Sequence, residues 1–482
     1  MSMQTGKKTT NGIKFSPRRI IPRVGAPAAI LALMFSGLLI TGARASSLID
    51  PDVEDSTTQF GFSVAVIGDI TGDGVPDLAV GARFQDGDFE VSNGFGPPQN
   101  VGKAWLINGA SLGVIRQLND PEFQLPNPTK FGGQFGTSVA GVGDLNGDSI
   151  PDVLVGVPHY SNFDAGHIIA GEAFVFSGAD GSILFRLNDP DEEENNRMGF
   201  AVLGPGDVTG DGVPDLLVGV PKKESEAGLA DVGSAYIFSG ADGSFVRSLD
   251  PPDQGGAEEN GRFGAALADA GDINHDGVRD ILIGAPGKSH AYVFNGVTGA
   301  LIFTMTNPSP PAQEKLPSFG AAVAGGQDVD GDGTPDFVIG APNQKSLQGA
   351  AYVFKGSNGA LLRSLRGPAQ KFAKFGTSVA LSPDSTGDGR PDILVGATDV
   401  TVNGLQSAGQ VFVFKGNNGR LSRTVSSEQP TAFAGFGFAV TTGDFNGNGT
   451  PEIVIGVPFQ DVNLIINGDV ETHLQIGQIE VQ

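Results

Sequence analysis

One phrase recurs seven times along this chain, and no other feature restricts its fold as strongly. A Phe-Gly step leads into a short apolar stretch, then an Asp-rich loop, then Pro-Asp and an apolar run that ends in Gly. The step begins at Phe60, Phe135, Phe263, Phe319, Phe375 and Phe436, and Met198-Gly199 takes its place in the remaining copy. The closing triplets are GAR at 81, GVP at 156 and 219, GAP at 284 and 340, GAT at 396 and GVP at 456. Seven starts between residues 60 and 436 give a period of about 63 residues.

Each unit reads as four strands. The first follows Phe-Gly (GFSVAVIGD) and the second is the run after Pro-Asp (PDLAVGA, PDVLVGV, PDLLVGV). The third alternates β-branched and aromatic residues (GKAWLING, GEAFVFSG, GSAYIFSG, SHAYVFNG, GAAYVFKG, GQVFVFKG). A Gly turn (GADG, GVTG, GSNG, GNNG) then opens a fourth, such as SILFRLNDP. The alternation, the β-branched and aromatic enrichment and the Gly turns all point to strands. The 73 Gly and 31 Pro among 482 residues suit short strands joined by turns. Seven four-stranded units, each needing neighbours to bury its faces, predict an all-β fold: a seven-bladed β-propeller with four antiparallel strands per blade. The ends agree. The last unit stops at GQIEVQ, a third strand without a fourth, while SSLIDPD at 46–52 matches the fourth-strand ends FRLNDPD at 185–191 and RSLDPPD at 247–253. The N-terminal strand is therefore expected to complete the last blade and close the ring, removing sheet edges.

Between strands one and two every unit carries a nine-residue loop with oxygen side chains at positions 1, 3, 5 and 9. The first uses Asp69, Thr71, Asp73 and Asp77; the second Asp144, Asn146, Asp148 and Asp152; the third Asp207, Thr209, Asp211 and Asp215. The fourth has Asp272, Asn274, Asp276 and Asp280, the fifth Asp328, Asp330, Asp332 and Asp336, and the sixth Asp384, Thr386, Asp388 and Asp392. The seventh has Asp444, Asn446, Asn448 and Glu452. A hard cation such as Ca²⁺ takes six to eight oxygens. Alternate positions of a tightly curled loop point inward together, and Gly at positions 4 and 6 permits the curl. Position 7 (Val75, Ile150, Val213, Val278, Thr334, Arg390, Thr450) is expected to add a backbone carbonyl, and position 9 to close the shell from the start of strand two. Asp, Asn and Gly also make ordinary turns. Seven copies in register, six with carboxylates at positions 1, 5 and 9, favour a metal, because clustered carboxylates repel without a cation. Up to seven Ca²⁺ are expected, one per blade; Mg²⁺, which prefers a strict octahedron and keeps its waters, suits the loops less. Loop seven, with Asn448 and Glu452, is expected to bind less tightly.

Phe-Gly, the Asp-rich loop and Gly-Ala-Pro resemble the FG-GAP repeats of the integrin α-subunit propeller and its bacterial relatives. The likeness covers essentially all of residues 46–482. It implies a seven-bladed propeller with Ca²⁺ in the loops between strands one and two, held by the positions just named. It further implies an extracellular protein or glycan ligand. Integrin-like propellers load only some blades, whereas all seven loops here have the donors.

Binding residues favour loops on a rigid scaffold. The metal loops share one face with the turns between strands three and four, so the longer connections at 83–101, 159–170, 222–232, 399–408 and 459–476 fall on the other. Phe84, Phe89, Phe95, His159, Tyr160, Phe163 and Phe459 are candidate contacts there, with solvated insertions as the alternative.

Residues 1–45 differ in kind. They hold seven of the 30 Lys and Arg and no acid, then the apolar run APAAILALMFSGLLITG and Ala43-Arg44-Ala45. This order reads as a signal peptide, with a membrane anchor or a twin-arginine signal as alternatives. Residues 46–482 then hold 23 basic against 54 acidic side chains, a formal −31. So acidic a chain repels nucleic acid and anionic lipid. Zero Cys leaves an exported protein without disulfides. The expectation is a monomeric protein, secreted, periplasmic or held at the cell surface, with no transmembrane span once processed. No HExxH, GxSxG or phosphate-cradling loop occurs, and an acid pair repeated in every blade is not a catalytic pair, so no enzyme is expected. The alternatives are a structural coat or matrix protein, a hydrolase or lyase, and a quinone-type dehydrogenase. AYVFNGVTGALIF is similar to repeats of the last family, which relies on several Trp where this chain has Trp105 alone.

Overall fold

The computed structural model describes residues 46–482 apart from 53–57, 86–99, 122–131, 162–168, 191–193, 226, 253–258, 310–317, 467–468 and 474–476. The expected signal peptide, and Phe89, Phe95 and Phe163, lie outside the described residues. Seven sheets of four antiparallel strands each make seven blades. The first blade runs Phe60–Gly68, Asp77–Ala82, Lys103–Ile107 and Val114–Asn119 from the axis outward. Its inner strand adjoins that of the second blade, Ser138–Gly143, and the series continues through Val202–Gly206, Ala266–Gly271, Ala322–Gln327, Phe375–Ser382 and Ala439–Gly443 back to the first. The second strands of the first six blades, such as Asp152–Val157 and Asp280–Ala285, are buried at every residue because a neighbouring blade covers each face, and in Glu452–Val457 of the last blade only Glu452 is partly exposed. Outer strands such as Leu421–Val425 are mostly exposed. No helix among the described residues is long and apolar enough to cross a membrane.

The repeated phrase is explained by contacts between blades. Each Phe of the Phe-Gly step, and Met198 in its place, is completely buried. Phe135, Phe263, Phe319 and Phe375 meet Phe176, Phe294, Phe354 and Phe414 of their own third strands edge-on, at centroid distances of 5.7 to 5.9 Å. Edge-to-face pairs of this kind add about 0.5–1.5 kcal/mol beyond their burial. The glycine of each closing triplet lies against the carbonyl oxygen of the next blade's Phe-Gly glycine: Gly81 on Gly136, Gly284 on Gly320, and Gly456 on Gly61 where the ring closes. A Cβ there would overlap that oxygen, so these glycines are required by close approach of two backbones. Gly284→Ala is expected to cost about 3 kcal/mol, in the range of overpacking a tight contact, and to lower the Tm by several degrees. An unchanged melting curve would refute this account of the motif.

The ring closes as the chain ends predict. Ser46–Ile49 pairs antiparallel with Gln478–Val481, in the register Ser46↔Val481 to Ile49↔Gln478, and the last blade is ordered closing strand, Gln478–Val481, Glu452–Val457, Ala439–Gly443. Just past the closing strand, Asp50 is fully buried and accepts the Asp52 N–H at 2.8 Å. Asp52 in turn pairs with the buried Lys103 of the first blade at 2.6 Å. Burial pushes the Asp50 carboxyl up to about 7, with hydrogen bonds from Thr58 and Asp52 opposing the rise. One departure from the sequence reading is in the 459–476 connection, which contains a hairpin, Val462–Ile466 with Asp469–His473.

Candidate metal centres

The nine-residue loops curl around their first carboxylate. Asp69 Oδ1 accepts the N–H groups of Gly72 at 2.7 Å and Asp73 at 3.2 Å, and Oδ2 that of Gly74 at 2.8 Å. Asp144, Asp207 and Asp384 repeat all three bonds, and Asp272, Asp328 and Asp444 two each. The glycines at positions 4 and 6 have positive φ. Ser149 at position 6 of loop two and His275 at position 4 of loop four adopt the same left-handed backbone at φ 69° and 60°. Position 5 accepts the N–H of position 7, as Asp73 does from Val75 at 2.9 Å and Asp388 from Arg390 at 3.1 Å.

Position 9 does more than the sequence indicates. Asp77 Oδ2 accepts the N–H groups of Ile70 and Thr71, and its Oδ1 accepts that of Gly109 in the turn between strands three and four. Asp152, Asp215, Asp280, Asp336 and Asp392 tie to Gly178, Gly240, Gly296, Gly356 and Gly416 in the same way. Glu452 in the last blade, which has no such turn, accepts from within its own loop, from Phe445 and Asn446. The tie sets loop and turn on one face, and the buried carboxylates keep lone pairs to spare. Burial raises the carboxyls of Asp152, Asp215 and Asp280 above their usual range, and that of Asp336 to about 6.

Position 3 points inward. Thr209 Oγ1 donates to Asp215 at 3.3 Å, Thr386 to Asp392 at 2.9 Å, and the Asn274 amide to Asp280 at 3.1 Å, while Thr71 lies 3.4 Å from Asp69. At position 7, Val75, Ile150, Val213 and Val278 pack on the blade cores. Arg390 lays its guanidinium over Gly331 of the fifth loop. In loops five and six the carboxylates converge: Asp328, Asp330 and Asp332, and Asp384, Asp388 and Asp392, each offer an oxygen within 4.8 Å of the others. Asp388 Oδ2 is buried and without a partner among the described residues.

Sequence reasoning missed the side chains that reach position 5 from the neighbouring turn. The Asn108 and Asn295 amides donate to Asp73 and Asp276 at 2.7 Å, and Ser357 to Asp332 at 2.7 Å. Lys355 pairs with Asp330 and lies 3.7 Å from Asp332. These donors hold the carboxyls of Asp73 and Asp332 below their usual range. The signal was a polar residue just after strand three, but no spacing rule links it to a loop residue 19 to 35 positions earlier.

On the opposite face the candidate contacts divide. Tyr160 is a core residue rather than a surface contact: it is buried and its hydroxyl accepts from Arg186 at 3.0 Å. His159 is half-buried and, by burial and the nearby Arg197 and Arg83, pushed down to about 4. Phe84 and Phe459 belong to one cluster. Phe459 meets Phe438 edge-on at 5.7 Å, Phe438 lies 4.7 Å from Phe62, and the Arg83 guanidinium covers Phe62 and Phe84 at 3.7 and 4.5 Å. Phe372 and Phe433, exposed and at positive φ on the same face, were not singled out from sequence.

Family models of the FG-GAP repeat match residues 60–107, 135–169 and 319–354, and one of the FG-GAP-like repeat matches 384–455. Among curated proteins, the chain is 34% identical to integrin alpha-5 of Xenopus laevis over 221 residues, 43% of this chain and 20% of that protein. It is 32% identical to human integrin alpha-IIb over 281 residues, 55% of this chain and 25% of that protein. Integrin alpha pat-2 of Caenorhabditis briggsae is 32% identical over 263 residues, 49% of this chain and 20% of that protein. The matched region thus spans a fifth to a quarter of the length of these relatives. Repeat signature, relatives and seven-bladed ring agree: the chain carries FG-GAP repeats and resembles the β-propeller of integrin α subunits.

Proposed function

We propose that this protein is an exported, calcium-loaded propeller that serves as an extracellular binding or adhesion module for protein or glycan ligands. The sixth loop carries the reading. Calcium–oxygen distances of about 2.3–2.6 Å put coordinating oxygens at most about 5 Å apart, and those of Asp384, Asp388 and Asp392 lie within 4.8 Å of one another. Asp388 Oδ2, buried and unpartnered, is an acceptor that a cation satisfies. The residues present fit a hard divalent ion. In each loop it would be held by the side chains at positions 1, 3, 5 and 9 with the carbonyl of position 7. Bound calcium would supply the positive charge that lets the buried position-9 carboxylates stay ionised. The loops are not equivalent: Lys355 already neutralises part of the fifth, and the seventh has Asn448 where the others have Asp.

The same donors in every blade support binding rather than catalysis, since no pair of acids is set apart. The ligand belongs on the face opposite the loops, where the longer connections lie. Equilibrium dialysis of residues 46–482 against CaCl₂, followed by surface binding to glycans and matrix proteins in calcium and in chelator, tests both parts. Several Ca²⁺ per chain and a ligand retained only in calcium are the expected outcome. No calcium uptake at millimolar concentration would end the metal reading, and ordered self-assembly without a foreign ligand would move the function to a structural coat.

A further inference from the structure

The third strand of each blade has one position that faces the blade before it. It always pairs with the same central residue of strand two, as Trp105 does with Val80, Tyr236 with Val218 and Phe412 with Val395. Six blades put a ring there: Trp105, Phe174, Tyr236, Tyr292, Tyr352 and Phe412. Phe174 packs with Leu106 and Leu118 of the first blade, and Trp105 with Phe445 and Val454 of the seventh. In the seventh blade the position, paired with Ile455, belongs to Glu480.

Glu480 faces the preceding blade as the rings do. Its Oε1 accepts from Ser427, just past the outer strand of blade six, at 2.5 Å and from Gln478 at 2.6 Å, while Gln482 donates to Oε2 at 3.1 Å. Where a carboxylate replaces a ring, the gap between blades stays open as a cavity of about 300 Å³. Ser47 and Ile49 of the closing strand line it, and they are register partners of Glu480 and Gln478, so the four share one face. Glu428, Gln429, Pro430, Thr431, Gln460 and Asp461 complete the wall.

A second observation points to a ligand. Gln460 is 3% exposed, and its Nε2 donates to the carbonyls of Asp461 at 3.0 Å and Gln429 at 3.4 Å. Turning the amide over would set oxygen against oxygen, so its orientation is fixed. Among the described residues, Gln460 Oε1 is then a buried acceptor with no donor, and the Thr431 hydroxyl in the same wall also has no partner. Glu428, Asp461 and Glu480 add negative charge, and the described residues of the lining include no Lys, Arg or His. These three acids are not among the groups of described residues that converge on one point as a metal ion requires. The volume is at the low end of ligand pockets, about 300–1,000 Å³, and Ile49 and Pro430 offer an apolar wall to a short stem.

We propose that this cavity binds an organic cation of the size of an arginine or lysine side chain, whose guanidinium or ammonium donates to Gln460 Oε1 and faces Glu480 and Asp461. The site stands apart from the calcium loops, and the closing strand completes it.

Isothermal titration of residues 46–482 with arginine amide, in CaCl₂ and again in chelator, tests the proposal, with citrulline amide as the uncharged isostere. Arginine amide is expected to saturate one site, and citrulline amide to bind at least about tenfold more weakly. The exposed-side double variant Glu428→Gln/Asp461→Asn is expected to lose a similar factor. Glu480→Phe, which restores the ring of the other six blades, is expected to abolish binding while the protein still melts cooperatively. Gln460→Leu should weaken binding without lowering the Tm. A capped peptide with one internal Arg separates the sources: binding as tight as arginine amide indicates a side chain presented by a partner protein, and binding of the amide alone indicates a free small molecule. No saturable binding of any probe at millimolar concentration, equal binding of citrulline amide, or unchanged binding by a folded Glu480→Phe variant would overturn it.

Discussion

Residues 46–482 should melt far higher in a few millimolar CaCl₂ than in excess chelator, and Mg²⁺ should restore little of the difference. Extracellular calcium modules bind at about 10⁻⁴–10⁻³ M. At the tighter end, millimolar Ca²⁺ adds about 1.4 kcal/mol per occupied site, so seven loops together approach about 10 kcal/mol, comparable with the whole stability of a typical domain. The loops should contribute unequally. Asp388→Asn should shrink the shift, because the sixth loop loses the acceptor that has no protein partner. Lys355→Met should act with opposite signs in the two conditions. In chelator it lowers the Tm, because Asp330 and Asp332 lose their internal cation. In calcium it enlarges the shift, because the ion no longer competes with an ammonium. A melt that ignores calcium would reduce all seven loops to turns held by their own backbone hydrogen bonds.

The second large effect concerns the closing strand and pH. The folded pKa of Asp50 is raised to about 7 from 3.8 because the carboxyl is buried. A raised carboxyl stabilises the fold in its neutral form. That contribution is complete below about pH 4 and is lost as pH rises through about 7. At 1.36 kcal/mol per pH unit the interval amounts to at most about 4 kcal/mol. In saturating CaCl₂, stability should therefore decline between pH 5 and 8, and Asp50→Asn should flatten the decline and melt above wild type at pH 8. Amide exchange at Gln478–Val481 should speed up over the same interval, since release of Ser46–Ile49 bares that edge. Glu480, also raised by burial, titrates in the same blade, so the comparison of Asp50→Asn with wild type isolates the group. Identical pH profiles for the two proteins would rule Asp50 out.

Much of this molecule is written in short segments. The nine-residue loops are legible because each depends on local backbone geometry: one carboxylate caps the curl, and Gly, Ser149 or His275 takes the left-handed angle. The blade count follows from the period, and the closing strand from two incomplete units at opposite ends of the chain. The hairpin in the last long connection also had its signal in the sequence, Asn467-Gly468 after the largely apolar VNLII, a pair favoured in tight β-turns.

Tertiary structure alone decided what meets across blades. Tyr160 became core because Arg186, on the outer strand of its blade, reaches back to its hydroxyl. Asn108, Asn295 and Lys355 meet the loop acids because strand register folds the third-to-fourth turn over the first-to-second loop. The exception at Glu480 is visible in the sequence as one acid in a column of aromatic residues. Its consequence, a cavity against the sixth blade with an unpaired acceptor at Gln460, is not. Local dihedral preferences act over a few residues and repeat with the sequence. Packing between blades depends on side chains far apart in the chain, whose partners are set only when the ring closes.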